Sequence, residues 1–179
     1  MRTLAAMRTL VLDPPPPEVQ QLLERRKRLG LDMYDEVWEG TYHMAPMARG
    51  RHGRLQAQLT RLLGPYADNA GLLDVGPFNL GDGPDNFRVP DLGYLRELDP
   101  EVLYFPTAAV VVEVVSAGDE TYEKFPFYAA REVDEMLVVH PEEHHIRTFS
   151  RAGGHYDGTG RSILLGIDAT DLEAVIRWP

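Results

Sequence analysis

The stretch Val110-Val111-Val112-Glu113-Val114-Val115-Ser116 decides how this chain is read. β-branched side chains pack well on a pleated surface and poorly in a helix. With Ala108 and Ala109 ahead of it, the apolar run predicts a strand over 108–115 that is covered on both faces. Alternation places Val111, Glu113 and Val115 on one face and Val110, Val112 and Val114 on the other. Glu113 is then a carboxylate half-buried inside a core strand. An unpaired carboxylate there is costly, so a cation is expected beside it. A metal or Lys124 would serve. Glu113 ending its strand at the surface, or pairing with an arginine, is the structural alternative.

Working outward from this strand, Pro14 to Pro17 form a stiff lead-in to a helix. Val19, Leu22, Leu23 and Leu29 recur near helical spacing before Gly30. Segments 34–38 and 41–44 predict two short strands about a turn at Glu39-Gly40. Leu55, Leu59, Leu62, Leu63 and Tyr66 mark an amphipathic helix over 52–68, closed by Gly71. Segments 72–80 and 87–95 predict strands joined by a Gly/Asp/Pro turn. After the valine strand, Asp119 can cap a helix in which Pro126 must occupy the first turn. Segments 135–140, 145–150 and 155–156 predict a meander. A last strand is expected at 163–165, and a short helix capped by Asp171. The order predicts an α/β or α+β sandwich around one mixed sheet. It divides into a lead-in over 1–17 and a single domain over 18–179.

At 179 residues the chain can bury a substantial core. No apolar run is long enough to span a bilayer, and residues 1–12 lack the continuous apolar region of a signal peptide. The absence of cysteine excludes disulfides, thiolate metal sites and a cysteine nucleophile, and fits a cytoplasmic or thermophilic setting. A net charge of -10 argues against a general nucleic-acid binder, which needs surplus cations to displace counterions. It leaves room for an enzyme whose acidic residues hold divalent metal. Arginine outnumbers lysine 16 to 2, a ratio suggesting a GC-rich genome. A lysine that survives such a bias, as Lys124 does, invites a functional question.

Upstream lies Arg88-Val89-Pro90-Asp91. Two acids at strand ends and a lone lysine are the parts of a metal-dependent phosphodiesterase. Cleaving a phosphodiester requires charge neutralisation, an activated water and a stabilised leaving oxygen, and divalent cations serve all three. Magnesium takes few carboxylates plus water and substrate oxygens. Asp91 and Glu113 would supply the carboxylates from different strands, with the Val114 carbonyl completing the site. Lys124 would orient water or stabilise charge on phosphorus.

Arg-Val-Pro-Asp at 88–91, the run at 111–116 with Asp119 behind it, Lys124 with Tyr128, and Met136-Leu137-Val138-Val139-His140-Pro141 together resemble the Uma-two family of restriction-endonuclease-like proteins. The segment 34–42, with Glu36 and Gly40, fits the same pattern. That family is similar to the PD-(D/E)XK nucleases. The resemblance implies a restriction-endonuclease-like core, a mixed sheet flanked by helices with Mg2+ (or Mn2+) at its edge. It implies metal at Asp91 and Glu113, nucleic acid, DNA foremost, as substrate, and a homodimer. The acid-x-Lys tripeptide is broken, because Val115 stands at its lysine position. In the Uma-two pattern the lysine moves to the following helix, matched by Lys124. Glu36 is the implied upstream acid, with Glu39 as competitor. Ser116-Ala117-Gly118 replaces the family's frequent Ser-Pro-Ser. A catalytically inactive module on the same scaffold, binding protein or nucleic acid, is the alternative from a different class. A hydrolase of smaller phosphoesters is a third.

Other constellations read as structure. His140, His144 and His145 flank Pro141-Glu142-Glu143, a surface turn rather than a helical metal motif. His52 opens a helix and can approach the site or merely start the helix. Gly81-Asp82-Gly83 and Gly158-Thr159-Gly160 lack phosphate-loop spacing and read as turns. Ser116 lacks a nucleophile-elbow context. Arg25, Arg26, Lys27 and Arg28 form a basic stripe, either a solvated helix face or a phosphate contact.

Overall fold

In the computed structural model, residues 15–45, 49–116, 118 and 120–179 are described. The expected lead-in before residue 15 and the proposed cap at Asp119 lie outside them. Helix α1 is Pro17–Arg28. Strands β1 (Glu36–Trp38) and β2 (Thr41–His43) follow as a hairpin. Its turn residues Glu39 and Gly40 both have positive φ, 50° and 84°, the geometry that matches a two-residue connection to strand twist. Helix α2 spans Gly50–Asn69 and continues through Pro65. Gly71 leaves it at φ 68°.

The expected strands 72–80 and 87–95 each divide in two. The first becomes β3 (Leu73–Val75) and β4 (Asn79–Gly83), and the second β5 (Asn86–Arg88) and β6 (Leu92–Leu95). The breaks contain Pro77 and Pro90, which cannot donate to a sheet ladder. At these breaks the chain passes between two sheets: β3 pairs with β6, and β4 with β5. Gly81-Asp82-Gly83 therefore lies within β4, not in a turn, and carries a register shift. Strand β7 is Tyr104–Phe105, and the valine strand β8 is Val110–Val114.

A 3-10 turn over Thr121–Lys124 leads into helix α3, Phe125–Ala130. Pro126 sits in the first turn of α3, where its missing N–H costs nothing. The meander follows as β9 (Glu135–His140), β10 (His145–Ala152) and β11 (His155–Gly158). Residues 163–165 are not a strand. They join the short β12 (Arg161–Ser162) to β13 (Ile167–Asp168). Helix α4 is Ala169–Val175, with Asp168 at its N-cap position, making no side-chain capping bond, and Asp171 in its first turn rather than at the cap.

The strands form two main sheets and a small pair, not one sheet. The larger sheet has the order β11-β10-β9-β8-β6-β3, with β8 and β9 parallel. The smaller has the order β2-β1-β5-β4-β7. Among the described residues, the sheets and four helices make the fold a mixed α+β one. All five residues of β8 are buried. Val110, Val112 and Val114 pack with Leu55, Leu59 and Leu63 of α2 and Leu172 of α4. Val111 packs on the other face with Phe127, Tyr128 and Met136. Fully burying one such aliphatic side chain contributes about 1.5–3 kcal/mol, so reversing the parity of β8 would forfeit several of these at once. Parity therefore sends Glu113 to the α3 face, toward the seam between the two sheets.

Candidate active site

Glu113 is 4% exposed. Its Oε1 accepts a hydrogen bond from Tyr128 Oη at 2.5 Å and another from Lys124 Nζ at 3.1 Å. Lys124 ends the 3-10 turn and reaches back across the seam. The same ammonium donates to Glu36 Oε1 at 2.8 Å. Glu36 opens β1 of the smaller sheet and is 7% exposed. Its remaining bonds come from the Val89 N–H at 2.8 Å to Oε1 and Trp38 Nε1 at 2.6 Å to Oε2. Of the two acids, Glu36 thus joins Lys124 and Glu113, while Glu39 occupies the exposed hairpin turn.

Asp91 follows the Pro90 break and precedes β6. Its Oδ2 accepts the Val114 N–H at 2.8 Å, and its Oδ1 lies 2.7 Å from His52 Nε2. Gln56, one turn after His52 on α2, donates to the Asp91 carbonyl at 2.6 Å. These contacts hold Asp91 against the residue next to Glu113, close enough for the two charges to interact. Tertiary structure therefore brings Asp91, Glu113, Lys124 and Glu36 to one corner, where the Val114 contact seen is its N–H on Asp91.

The electrostatics follow from burial. Loss of hydration pushes the Glu113 carboxyl up to about 7, against the pull of Lys124, and the charges of Asp91 and Glu36 push the same way as burial. Burial opposes the charge on Lys124, but Glu113 and Glu36 outweigh it and raise its pKa. The Tyr128 hydroxyl is raised well above its ordinary value, chiefly by burial, so it remains a donor. Arg88, 3% exposed, lies between the rings of Trp38 at 4.3 Å and Phe127 at 4.0 Å. Burial lowers its pKa while the charge of Glu36 opposes that shift.

Three contributors had no assigned role in the sequence: Gln56, Trp38 and the positioning hydroxyl of Tyr128. Trp38 shares the strand face of Glu36 two residues earlier, a period-two signal that was available. Gln56 and His52 lie four apart on α2, a weaker one. A cavity of about 280 Å³ adjoins this corner, lined by His52, Val114, Val115, Ser116, His140 and Glu142 among others.

The remaining histidines do not form a centre. The turn expected at Pro141-Glu142-Glu143 is present, and His140 is buried just before it at the end of β9, its Nε2 2.8 Å from Tyr122 Oη. His145 pairs with Glu173 at 2.7 Å, and His144 stacks on Trp178. In the basic stripe, Arg26 is a structural tie, donating to Asp35 Oδ1 at 2.6 Å and to the Leu31 and Ala45 carbonyls. No helix among the described residues is long and apolar enough to cross a membrane.

The sequence pattern of the Uma2 (Uma-two) family, described as "putative restriction endonuclease", matches residues 18–174. The fold is similar to a crystal structure of a "putative nuclease belonging to DUF820" from Anabaena variabilis. The TM-score is 0.63 at 14% identity, over 78% of this chain and 89% of that one. At that identity the likeness bears on fold alone. No curated protein matches the chain.

Proposed function

The chain belongs to the Uma2 family, and on that premise we propose that it is a nuclease hydrolysing phosphodiester bonds of nucleic acid, DNA foremost, with a divalent cation at Asp91 and Glu113. The observation that carries this is the gathering of acids in the seam, where the charges of Asp91 and Glu36 both bear on the buried Glu113 and the Lys124 ammonium bonds Glu36 and Glu113. Among the described residues, no three His, Asp or Glu side chains converge as a metal cage. Magnesium needs no such cage, since it takes one or two carboxylates and completes its shell with water and phosphate oxygens. Asp91 and Glu113 fit that demand, with the Val114 carbonyl as a further hard donor. Manganese accepts the same donors.

When bound, the cation supplies charge neutralisation at the phosphate and the leaving oxygen. The chain's own groups do the positioning. His52 and the Val114 N–H orient Asp91, and Tyr128 orients Glu113. Glu36 holds the Lys124 ammonium, which stabilises charge on phosphorus or orients the attacking water. Water adds to phosphorus as the bond to a sugar oxygen breaks, leaving a phosphate monoester and a hydroxyl.

One observation favours a second reading, an inactive module of the same fold that binds protein or nucleic acid. Glu113 Oε1 already accepts two hydrogen bonds, and Val115 stands where the usual tripeptide has lysine. Cleavage of DNA and RNA with magnesium or manganese decides between them. The nuclease reading expects cleavage by the wild type and its loss in Glu113→Ala and Lys124→Ala. Cleavage unaffected by both substitutions, or none by the wild type, sinks it.

A further inference from the structure

The outer side of α2 carries a feature that the carboxylate seam does not use. A cavity of about 450 Å³ lies between α2 and the chain after α4, lined by Arg54, Gln58, Arg61, Leu62, Val175 and Arg177 among others. Among the described residues, no carboxylate lines it. The three arginines are exposed, and among the described residues no ion pair or hydrogen bond engages their guanidinium groups.

The third arginine is held there by a buried amide. Gln58 is 7% exposed. Its Nε2 donates to the Arg177 carbonyl at 2.9 Å, and its Oε1 accepts the Arg177 N–H at 3.0 Å. Both halves of the amide engage one backbone residue, so Arg177 is locked beside the helix face that carries Arg54 and Arg61. Three like charges sharing one concavity repel one another. Yet acids outnumber bases 28 to 18 in this chain, and none is placed among them. A concave surface of one sign focuses its field on counter-ions, and the guanidinium fork matches phosphate oxygens.

The spacing points to a polymer. Arg54 and Arg61 are two helical turns apart, about 10 Å along the axis, which is about three steps of one nucleic-acid strand at 3.4 Å each. A single phosphate would engage only one end. We infer that this cavity is a subsite for the phosphodiester backbone of nucleic acid, separate from the carboxylate centre. The inference rests on the nuclease reading for its choice of ligand. It also reconciles that reading with the net charge of -10, because backbone contact needs only a local cluster. One helix then serves both ends of the task, with His52 and Gln56 toward Asp91 and the arginines outward.

The test is fluorescence anisotropy with labelled duplex DNA, single-stranded DNA and RNA, in low salt with calcium present. It compares wild type, Arg54→Ala/Arg61→Ala/Arg177→Ala, and a control Arg25→Ala/Lys27→Ala/Arg28→Ala on α1, all checked for folding by circular dichroism. The expected result is an affinity loss of about tenfold or more in the first variant, with a salt slope shallower by about 2–3, and little change in the control. Wild-type affinity in the first variant, or an equal loss in the control, overturns the subsite and leaves the nuclease reading intact. Absence of binding by the wild type overturns the subsite too, while the cleavage assay decides the nuclease reading separately.

Discussion

Lys124 Nζ stands 3.1 Å from Glu113 Oε1, although a lysine two residues after the acid is the arrangement usual for this kind of site. The position it would have taken is Val115, just past the end of β8. The substitute comes eleven residues after Glu113, at the end of a 3-10 turn that delivers the side chain to the seam. A long, flexible stem lets one ammonium reach the same point from a different element.

Lys124→Met removes the ammonium that bonds both Glu36 and Glu113. Removing one partner of a buried pair costs about 3–5 kcal/mol. The loss is smaller in mild acid, where Glu113 protonates, than above neutrality. Urea unfolding at two pH values checks this, and equal losses at both would contradict it. Cleavage activity is expected to vanish in either case.

Through Glu113, the metal-free protein is expected to lose stability as pH rises from about 4.5 to about 7, the interval over which the folded state retains the Glu113 proton. Below that interval both folded and unfolded chains are protonated at this group. Within it the unfolded chain has lost the proton and the folded chain has not, so raising pH favours unfolding by up to about 1.4 kcal/mol per unit. Above it the contribution levels off. Glu113→Gln flattens this component in a pH series of denaturant midpoints. Magnesium, which favours the ionised carboxylate, should also reduce it.

Tyr128→Phe removes a 2.5 Å donor from Glu113. That hydrogen bond holds the carboxyl pKa down, so its loss moves the acid limb of the pH–rate profile upward. Stability falls by about 1–3 kcal/mol. An unchanged acid limb would show that the hydroxyl does not tune Glu113.

His52→Ala leaves Asp91 held by the Val114 N–H but frees Oδ1. Residues that orient a metal-binding carboxylate typically change metal affinity about 10–100-fold. The magnesium concentration for half-maximal cleavage should rise accordingly, with a small change in unfolding midpoint. A large stability loss with unchanged magnesium dependence would make His52 purely structural.

Gly93→Ala tests the packing behind the site. Gly93 lies in β6 opposite Val111, and an added Cβ would collide with the ring of Phe78. Overpacking of this kind costs about 1–3 kcal/mol. Thermal unfolding of Gly93→Ala measures it, and Gly93→Ala combined with Phe78→Leu should recover part of the loss.

Local pattern carried much of this protein. Five valines around Glu113 were enough to specify a buried strand and its parity, because period-two alternation is a property of the backbone itself. The same holds for α2, whose leucines recur at helical spacing, and for the Glu39-Gly40 turn. The candidate residues were legible as well, since an acid in an apolar strand and a lone lysine after it are chemically conspicuous wherever the chain goes.

Assembly was decided elsewhere. Pro77 and Pro90 were visible, but only the second sheet shows that the chain crosses there, and this crossing sets Asp91 in the seam. The preference for Glu36 over Glu39 required the bonds from Val89 and Lys124, and the locking of Arg177 beside Arg54 and Arg61 required Gln58. These partners are separated by 53, 88 and 119 residues. Propensity and spacing act over a few residues, whereas burial and charge act through space. The sequence by itself therefore determined which groups the protein has for chemistry, and the tertiary structure decided which of them meet.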